Sequence, residues 1–366
     1  GESLLPQCME ILEEANMLDA VMAANFQLKN GAAFERDGTH AEFDFSDKFT
    51  PGCATAFEVQ RDQFDKILAD QSARAGVAVH YRCEITAIDL AADQAVLGYR
   101  KADGSSALLR AKFCFDASGF GQTLARLHDL IRPADWPTRE SIFTHIIDNL
   151  DTAEFDRTKI LITVHPTQHD IWYWLIPFSN GSSSIGVVAA VGALDRFAGG
   201  DQAVLRQVVS EAGGLARLLA NAEYHKPCGR LTGYASEVAQ PYGENYAMLG
   251  NASGFLDPVL SSGVTIALKS ASLAVDCLDR RFRGQSVDWR QEFALPLKRG
   301  VDTFRQFVAA WYDGRLQDII FADNQSPRIR QMICAILAGY AWDENNPYVA
   351  KPERRLSALA EMCRSR

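Results

Sequence analysis

Small residues stand where a buried strand gives way to a helix twice in this sequence, in Asp116-Ala-Ser-Gly-Phe-Gly121 and in Gly250-Asn-Ala-Ser-Gly254. Residues of this size let a backbone approach a phosphate or a ring and present its N–H groups to it. A plain tight turn has the same composition, so the two together count for more than either alone. A different spacing occurs in Trp172-Tyr-Trp-Leu-Ile-Pro177. On a strand, positions 172, 174 and 176 point to one face, so two indoles and an isoleucine form an apolar wall before Pro177 ends the ladder. Such a wall would keep a substrate from a reactive cofactor while confining a small oxidant; an aromatic stripe in a sheet core has the same pattern.

Other reactive residue types are arranged less suggestively. His165 and His169 are four apart, but Pro166 breaks helical facing and no third ligand follows, so no metal is expected. Eight cysteines (8, 53, 83, 114, 228, 277, 334, 363) form no C-x-x-C pair and read as reduced packing residues. Glu13-Glu14 reads as a solvated helix face, and Trp311-Tyr312 as an aromatic packing pair.

The elements that must position these residues follow from periodicity. A helical stripe runs from about Pro6 to Ala23, and alternation at 26–59 with a turn at Arg36-Asp-Gly38 gives a hairpin. A helix from Arg61 ends at Ala75-Gly76. Strands are expected at Val77–Tyr81, Ile85–Leu90, Ala95–Arg100 and Ala107–Phe115, the last running into the Asp116 turn and a short helix. Residues 141–190 are strand-like, Ala203–Leu219 helical, and the strand near Tyr246 leads through its glycine turn to a helix over about Ser262–Leu278. The last eighty residues read as helical. The fold class is α/β, with discontinuous domains: 1–25, 60–128 and 237–285 forming one that carries both small-residue turns, 26–59 and 129–236 an antiparallel-sheet domain that carries the aromatic wall, and 286–366 a helical region.

The chain has 366 residues, 37 Lys plus Arg against 46 Asp plus Glu, and a net charge of -9, which leaves no basic excess for a nucleic-acid partner. No apolar stretch is long enough to span a bilayer and the first residues resemble no signal peptide, so a cytoplasmic protein is expected. Arg328, Arg330, Lys351, Arg354 and Arg355 form a late basic cluster that reads as a solvated helical surface.

These segments resemble the FAD-dependent monooxygenase and geranylgeranyl reductase superfamily over nearly the whole chain. Gly1-Glu-Ser3 is similar to its GES segment, Arg61-Asp-Gln-Phe-Asp65 to its R-x-x-F-D helix start, Asp116-Ala-Ser-Gly119 to its D-A-S/T-G turn, and Gly250-Asn-Ala-Ser-Gly-Phe-Leu-Asp-Pro258 to its G-D-A-x-G-F-x-D-P segment. Asn251 keeps an acceptor where that segment carries aspartate. Within the superfamily, Trp172–Pro177 resembles the W-x-W-x-I-P pattern of flavin-dependent halogenases. The resemblance implies a Rossmann-like fold that binds FAD through Gly1, Glu2, Ser3, Arg61, Asp116, Gly119, Gly250, Asn251, Gly254, Asp257 and Pro258. It implies Lys29 as the catalytic lysine, holding hypohalous acid by hydrogen bond or as a haloamine, with Trp172 and Trp174 as the dividing wall. Ser261, Ser262 and Gly263 would offer helix N-terminal N–H groups to chloride or bromide. Leu260 stands where halogenases of free tryptophan carry glutamate, which points to a phenol or pyrrole, on an acyl or peptidyl carrier protein in some of the family. A separate flavin reductase would supply reduced FAD. A G-x-G-x-x-G turn is absent from the sequence, and in the resembling families it precedes the GES segment, so an N-terminal βαβ unit is expected upstream of Gly1. The competing readings are a monooxygenase or ene reductase without halogenation, and a flavin-binding protein without catalysis.

Overall fold

The computed structural model describes residues 1–90, 94–151, 153–323 and 326–365. The alternating residues of the expected hairpin form Gly31–Arg36 and Thr39–Asp44, paired from Gly31↔Asp44 to Arg36↔Thr39. Asp37 and Gly38 close it with φ of 50° and 78°, the left-handed pair that a two-residue turn between twisted strands requires. This hairpin is one edge of a seven-stranded sheet. The order is Gly229–Thr232, Arg139–Ile147, Ser182–Ala190, Trp172–Pro177, Lys159–Val164, Gly31–Arg36, Thr39–Asp44. Neighbours are antiparallel except Lys159–Val164 with Gly31–Arg36.

Period-two alternation divides this sheet between two cores. Phe34, Ile160, Ile162, Trp172 and Ile176 pack on one side with Phe304, Phe307, Trp311, Ile333 and Ile336 of the C-terminal helices. Leu161, Tyr173, Leu175, Ile185 and Val187 face the other way, onto Val204, Leu205 and Val208 of helix Asp201–Ser210. Each buried side chain of this size contributes roughly 1.5–3 kcal/mol, so the sheet is fixed from both sides and its aromatic strand cannot slip register without exposing a whole face.

Two strand-turn-helix elements lie beside it. Strands Cys114–Asp116 and Tyr246–Met248 pair in parallel, and each passes into a one-turn helix, Gly119–Gly121 and Gly250–Ala252. The two turns touch one another, and Gly250–Ala252 also packs against the 21-residue helix Ser262–Phe282. Smaller antiparallel sheets are formed by Cys83–Asp89, Ala95–Lys101 and Ser106–Ala111, and by Ile131–Pro133, Ser236–Val238 and Gly254–Phe255. The mixed α/β class stands.

Four elements differ from expectation. The helix expected over 6–23 is two, Pro6–Glu14 and Leu18–Met22: Asn16 takes φ 55° and caps the first with the left-handed turn that ends helices. Ala203–Leu219 is broken as well: one helix stops at Ser210, and Gly213, with φ 56°, precedes the second, Gly214–Leu218. The strand expected over 107–115 is split into Ser106–Ala111 and Cys114–Asp116, which belong to different sheets. Val77–Tyr81 belongs to no strand, and Val77 and Tyr81 are exposed. Alternation selects an extended backbone, but a strand also needs a neighbour to accept its ladder, and none among the described residues does so. No described helix is long and apolar enough to cross a membrane. None of the eight cysteines is in a disulfide.

Candidate functional site

A cavity of about 720 Å³ lies between the aromatic face of the large sheet, the two small-residue turns and the start of helix Ser262–Phe282. This is the size of a cofactor or small-ligand site. Its sheet wall is built in rows across the strands. Ser141, Val188 and Trp172 form one, Phe143, Gly186 and Trp174 the next, His145, Ser184 and Ile176 the third. The two indoles share a face as the spacing predicts, with ring centroids 6.0 Å apart. Trp174 fits because its cross-strand partner is glycine: a Cβ on Gly186 would stand 2.2 Å from the indole Cζ2. Trp174 Nε1 donates to Ser184 Oγ at 3.1 Å.

Trp172 is held differently. Its Nε1 donates to the Tyr312 hydroxyl at 3.0 Å, and that hydroxyl donates to Asp257 Oδ2 at 2.8 Å. The Arg139 guanidinium lies 3.8 Å from the Tyr312 ring centroid. Burial pushes the Asp257 carboxyl up to about 6. Trp311 and Tyr312 therefore part company: Trp311 is core, while Tyr312 carries the link from Trp172 to Asp257.

Gly1, Glu2, Ser3 and Arg61 line the cavity on the side of the N-terminal segment. Arg61 is braced by Asp65 at 2.8 and 2.9 Å and donates to the Gly1 carbonyl at 3.1 Å. Glu2 Oε1 accepts from His145 Nε2 at 2.6 Å, and His145 lines the cavity too. Burial would raise the Glu2 carboxyl, but the bond to His145 and that ring's charge bring it below its ordinary range; the same bond raises His145. His145 was not singled out by sequence reasoning, although alternation from Ser141 places it on the same face.

From the turns, Gly119, Gly250, Asn251 and Pro258 reach the cavity, and from the helix start Ser261 and Gly263. Gly250 takes φ 52°, and a Cβ there would stand 2.7 Å from the Ala267 Cβ, so no other residue fits. Ser261 takes φ 55° just before the helix. Four expected contacts are not on this wall. Asp116 sits behind its turn, accepting from Ser118 and Leu124 N–H at 2.8 Å each. Asp257 is fully buried, accepting from Val259 N–H as well as from Tyr312. Gly254 and Ser262 line an adjoining cavity of about 100 Å³.

Lys29 is brought to the site from behind. It ends strand Gln27–Lys29, is 1% exposed, and donates from Nζ to Ser3 Oγ at 2.6 Å and to the Leu4 carbonyl at 3.0 Å. Ser3 lines the cavity, so the lysine is one hydrogen bond behind its surface. Burial pushes the Lys29 ammonium down from its ordinary value, against the opposing pull of Glu58. His165 is a satisfied core histidine, 3.1 Å from Glu211 and stacked over Tyr173.

The cavity's residues fit a flat ring system with a polar chain. Apolar walls face each other, glycines with left-handed φ leave backbone exposed on one side, and Arg61, Asn251 and the serines supply polar groups. Comparison with known proteins agrees. The tryptophan halogenase family model matches residues 25–340. A 1H-pyrrole-2-carbonyl-[peptidyl-carrier protein] chlorinase of Pseudomonas fluorescens is 25% identical over 99% of this chain and 85% of its own length. The corresponding brominase of Pseudoalteromonas luteoviolacea is 26% identical over 94% and 83%. A crystal structure described as a flavoprotein/dehydrogenase from Cytophaga hutchinsonii superposes with a TM-score of 0.96 and 38% identity, covering 100% of this chain and 89% of that one.

Proposed function

This chain belongs to the tryptophan halogenase family, and from that premise we infer that it is a FAD-dependent halogenase of an electron-rich ring, a phenol or pyrrole presented on an acyl or peptidyl carrier protein. The observation that carries the reading is that the Trp172 and Trp174 indoles and Ser3, to which Lys29 is fixed, line one cavity. Relatives that act on pyrrole-2-carbonyl carrier proteins support the ring and its carrier. Leu260 supports it from the other side: it is 5% exposed and part of the apolar core, so no carboxylate stands there to serve free tryptophan.

Gly119, Gly250, Asn251, Pro258, Arg61 and the Gly1–Ser3 segment would hold FAD; Asp116 and Asp257 would act from behind, bracing the turns they sit in. Bound there and reduced by a separate flavin reductase, FAD would supply the redox chemistry by which oxygen and chloride or bromide become hypohalous acid. The N–H groups of Ser261, Ser262 and Gly263, at the positive end of a 21-residue helix, would bind the halide. Trp172 and Trp174 exclude the ring substrate from the cofactor side and keep hypohalous acid from water. Lys29, through its amine, holds that acid and directs its electrophilic halogen to the ring; an amine suits this because burial favours its neutral, nucleophilic form.

Turnover on a pyrrole-2-carbonyl carrier protein and on the free acid, each with reduced FAD, oxygen and bromide, tests the substrate. Bromination confined to the carrier-bound ring is expected; equal bromination of both contradicts the carrier requirement.

A further inference from the structure

Strand Ala56–Glu58 runs between two partners. On one side it pairs with Gln27–Lys29, Gln27 opposite Glu58; on the other Ser3 forms a bridge to the same Glu58. In antiparallel ladders directly opposed residues, and residues two apart on one strand, share a face. Ser3, Glu58 and Lys29 are therefore on one side of this small sheet.

Glu58 is fully buried, and neither of its carboxyl oxygens has a hydrogen-bond partner of ordinary geometry. An ionised carboxylate in that position is costly without a compensating charge. The groups that act on it are Lys29, the Ser3 hydroxyl and Glu2, and Glu2 is already paired with His145. Lys29 in turn faces Glu58 and Cys8, and Cys8 is held as a neutral thiol by burial, bonded to Thr265 at 3.2 Å. Ser3 Oγ accepts from Lys29, so its own hydrogen is left for the Glu58 carboxyl across the bridge, a bond that the resting geometry does not hold and the exchange would form.

We infer that Glu58 is the positioning and proton-holding partner of Lys29, exchanging a proton with it through the Ser3 hydroxyl; this rests on the reading of Lys29 given above. As the ammonium passes a proton to Ser3 Oγ, the Ser3 hydroxyl proton passes to the Glu58 carboxylate. Ammonium and carboxylate become amine and carboxylic acid, and Ser3 is unchanged. Both states are neutral overall, so the buried pair exchanges the proton without leaving a net charge away from water. The amine so formed is the nucleophilic form that hypohalous acid requires. Glu58 thus supplies, from behind Lys29, a carboxyl that position 260 lacks.

The test is a pH titration of the full chain labelled with [ε-13C]lysine, the Lys29 resonance assigned by its loss in Lys29→Met. In Glu58→Gln the Lys29 midpoint is expected to fall by at least about one unit, a tenfold loss of proton affinity, while Glu58→Asp restores most of it. In the same variant the acidic limb of the kcat profile for halogenation should move down with the Lys29 midpoint, by about one unit, with the KM for the ring unchanged. A Lys29 midpoint and a pH profile that are the same in Glu58→Gln as in wild type overturn the inference. If Glu58→Gln does not fold, wild type decides: with [δ-13C]glutamate as well, the Lys29 shift must move at the pH where Glu58 titrates, and a flat Lys29 shift there overturns it. Loss of halogenation in Lys29→Ala alongside an unmoved midpoint overturns only the role of Glu58. Full halogenation in Lys29→Ala overturns the reading of Lys29 itself.

Discussion

Gly186 lies directly across the ladder from Trp174, and the indole occupies the space where any larger residue's Cβ would be. The cavity wall thus depends on an absence of side chain at one position. Gly186→Ala is expected to push the indole off its strand, break the bond to Ser184 and cost about 1–3 kcal/mol of stability, as overpacking does. Thermal unfolding and the near-ultraviolet circular dichroism of the indoles check this. Unchanged values for both would contradict the packing described.

Tyr312→Phe removes one oxygen and leaves two buried groups without their partner, the Trp172 Nε1 hydrogen and Asp257 Oδ2. The expected cost is about 1–3 kcal/mol, read as a shift of the urea midpoint. Asp257 should also titrate higher in this variant, because the hydroxyl that steadies its ionised form is gone.

The pH dependence of stability follows from the two buried carboxyls. Glu58 is pushed up to about 7 and Asp257 to about 6, from ordinary values of 4.5 and 3.8. Between the unfolded and folded values the native state binds the additional proton, so stability falls as pH rises through 3.8 to about 6 for Asp257 and 4.5 to about 7 for Glu58. Lys29 is lowered from 10.5, so its contribution runs the other way, rising with pH toward that value. Urea midpoints measured across these windows should lose the lower part of the slope in Asp257→Asn and the upper part in Glu58→Gln. Parallel curves for variant and wild type would contradict both assignments.

Gly250→Ala should weaken FAD binding at least about tenfold, or about 1.4 kcal/mol, because its left-handed φ and the Ala267 contact would displace the turn proposed to meet the cofactor. Equilibrium titration of the apoprotein by flavin fluorescence measures it. An affinity equal to wild type would show that this turn does not carry the cofactor.

What the sequence revealed was mostly local. The face shared by Trp172, Trp174 and Ile176 follows from period two, and the Asp37-Gly38 hairpin from its turn residues, so both were legible. Asn16 ends one helix and Gly213 starts another, each through a single backbone torsion, which a hydrophobic stripe running across them conceals. Val77–Tyr81 alternates like a strand, yet pairing depends on what lies beside it. The site residues that were missed are of the same kind. Tyr312 is 140 residues from the tryptophan it holds, and His145 is 143 from Glu2. Glu58 meets Ser3 and Lys29 only because two short pairings bring three separate segments together.

On the proposed reading, Lys29 directs halogen to a ring across the wall formed by Trp172 and Trp174. A single turnover with reduced FAD, oxygen and bromide over a panel of phenols and pyrroles, free and carrier-bound, tests it most directly, with products read by mass spectrometry. The expected result is a product carrying the bromine isotope doublet in wild type and its loss in Lys29→Ala, with oxygen consumption continuing in both. A product that gains oxygen or hydrogen and is indifferent to bromide, or a brominated product that persists in Lys29→Ala, would contradict it.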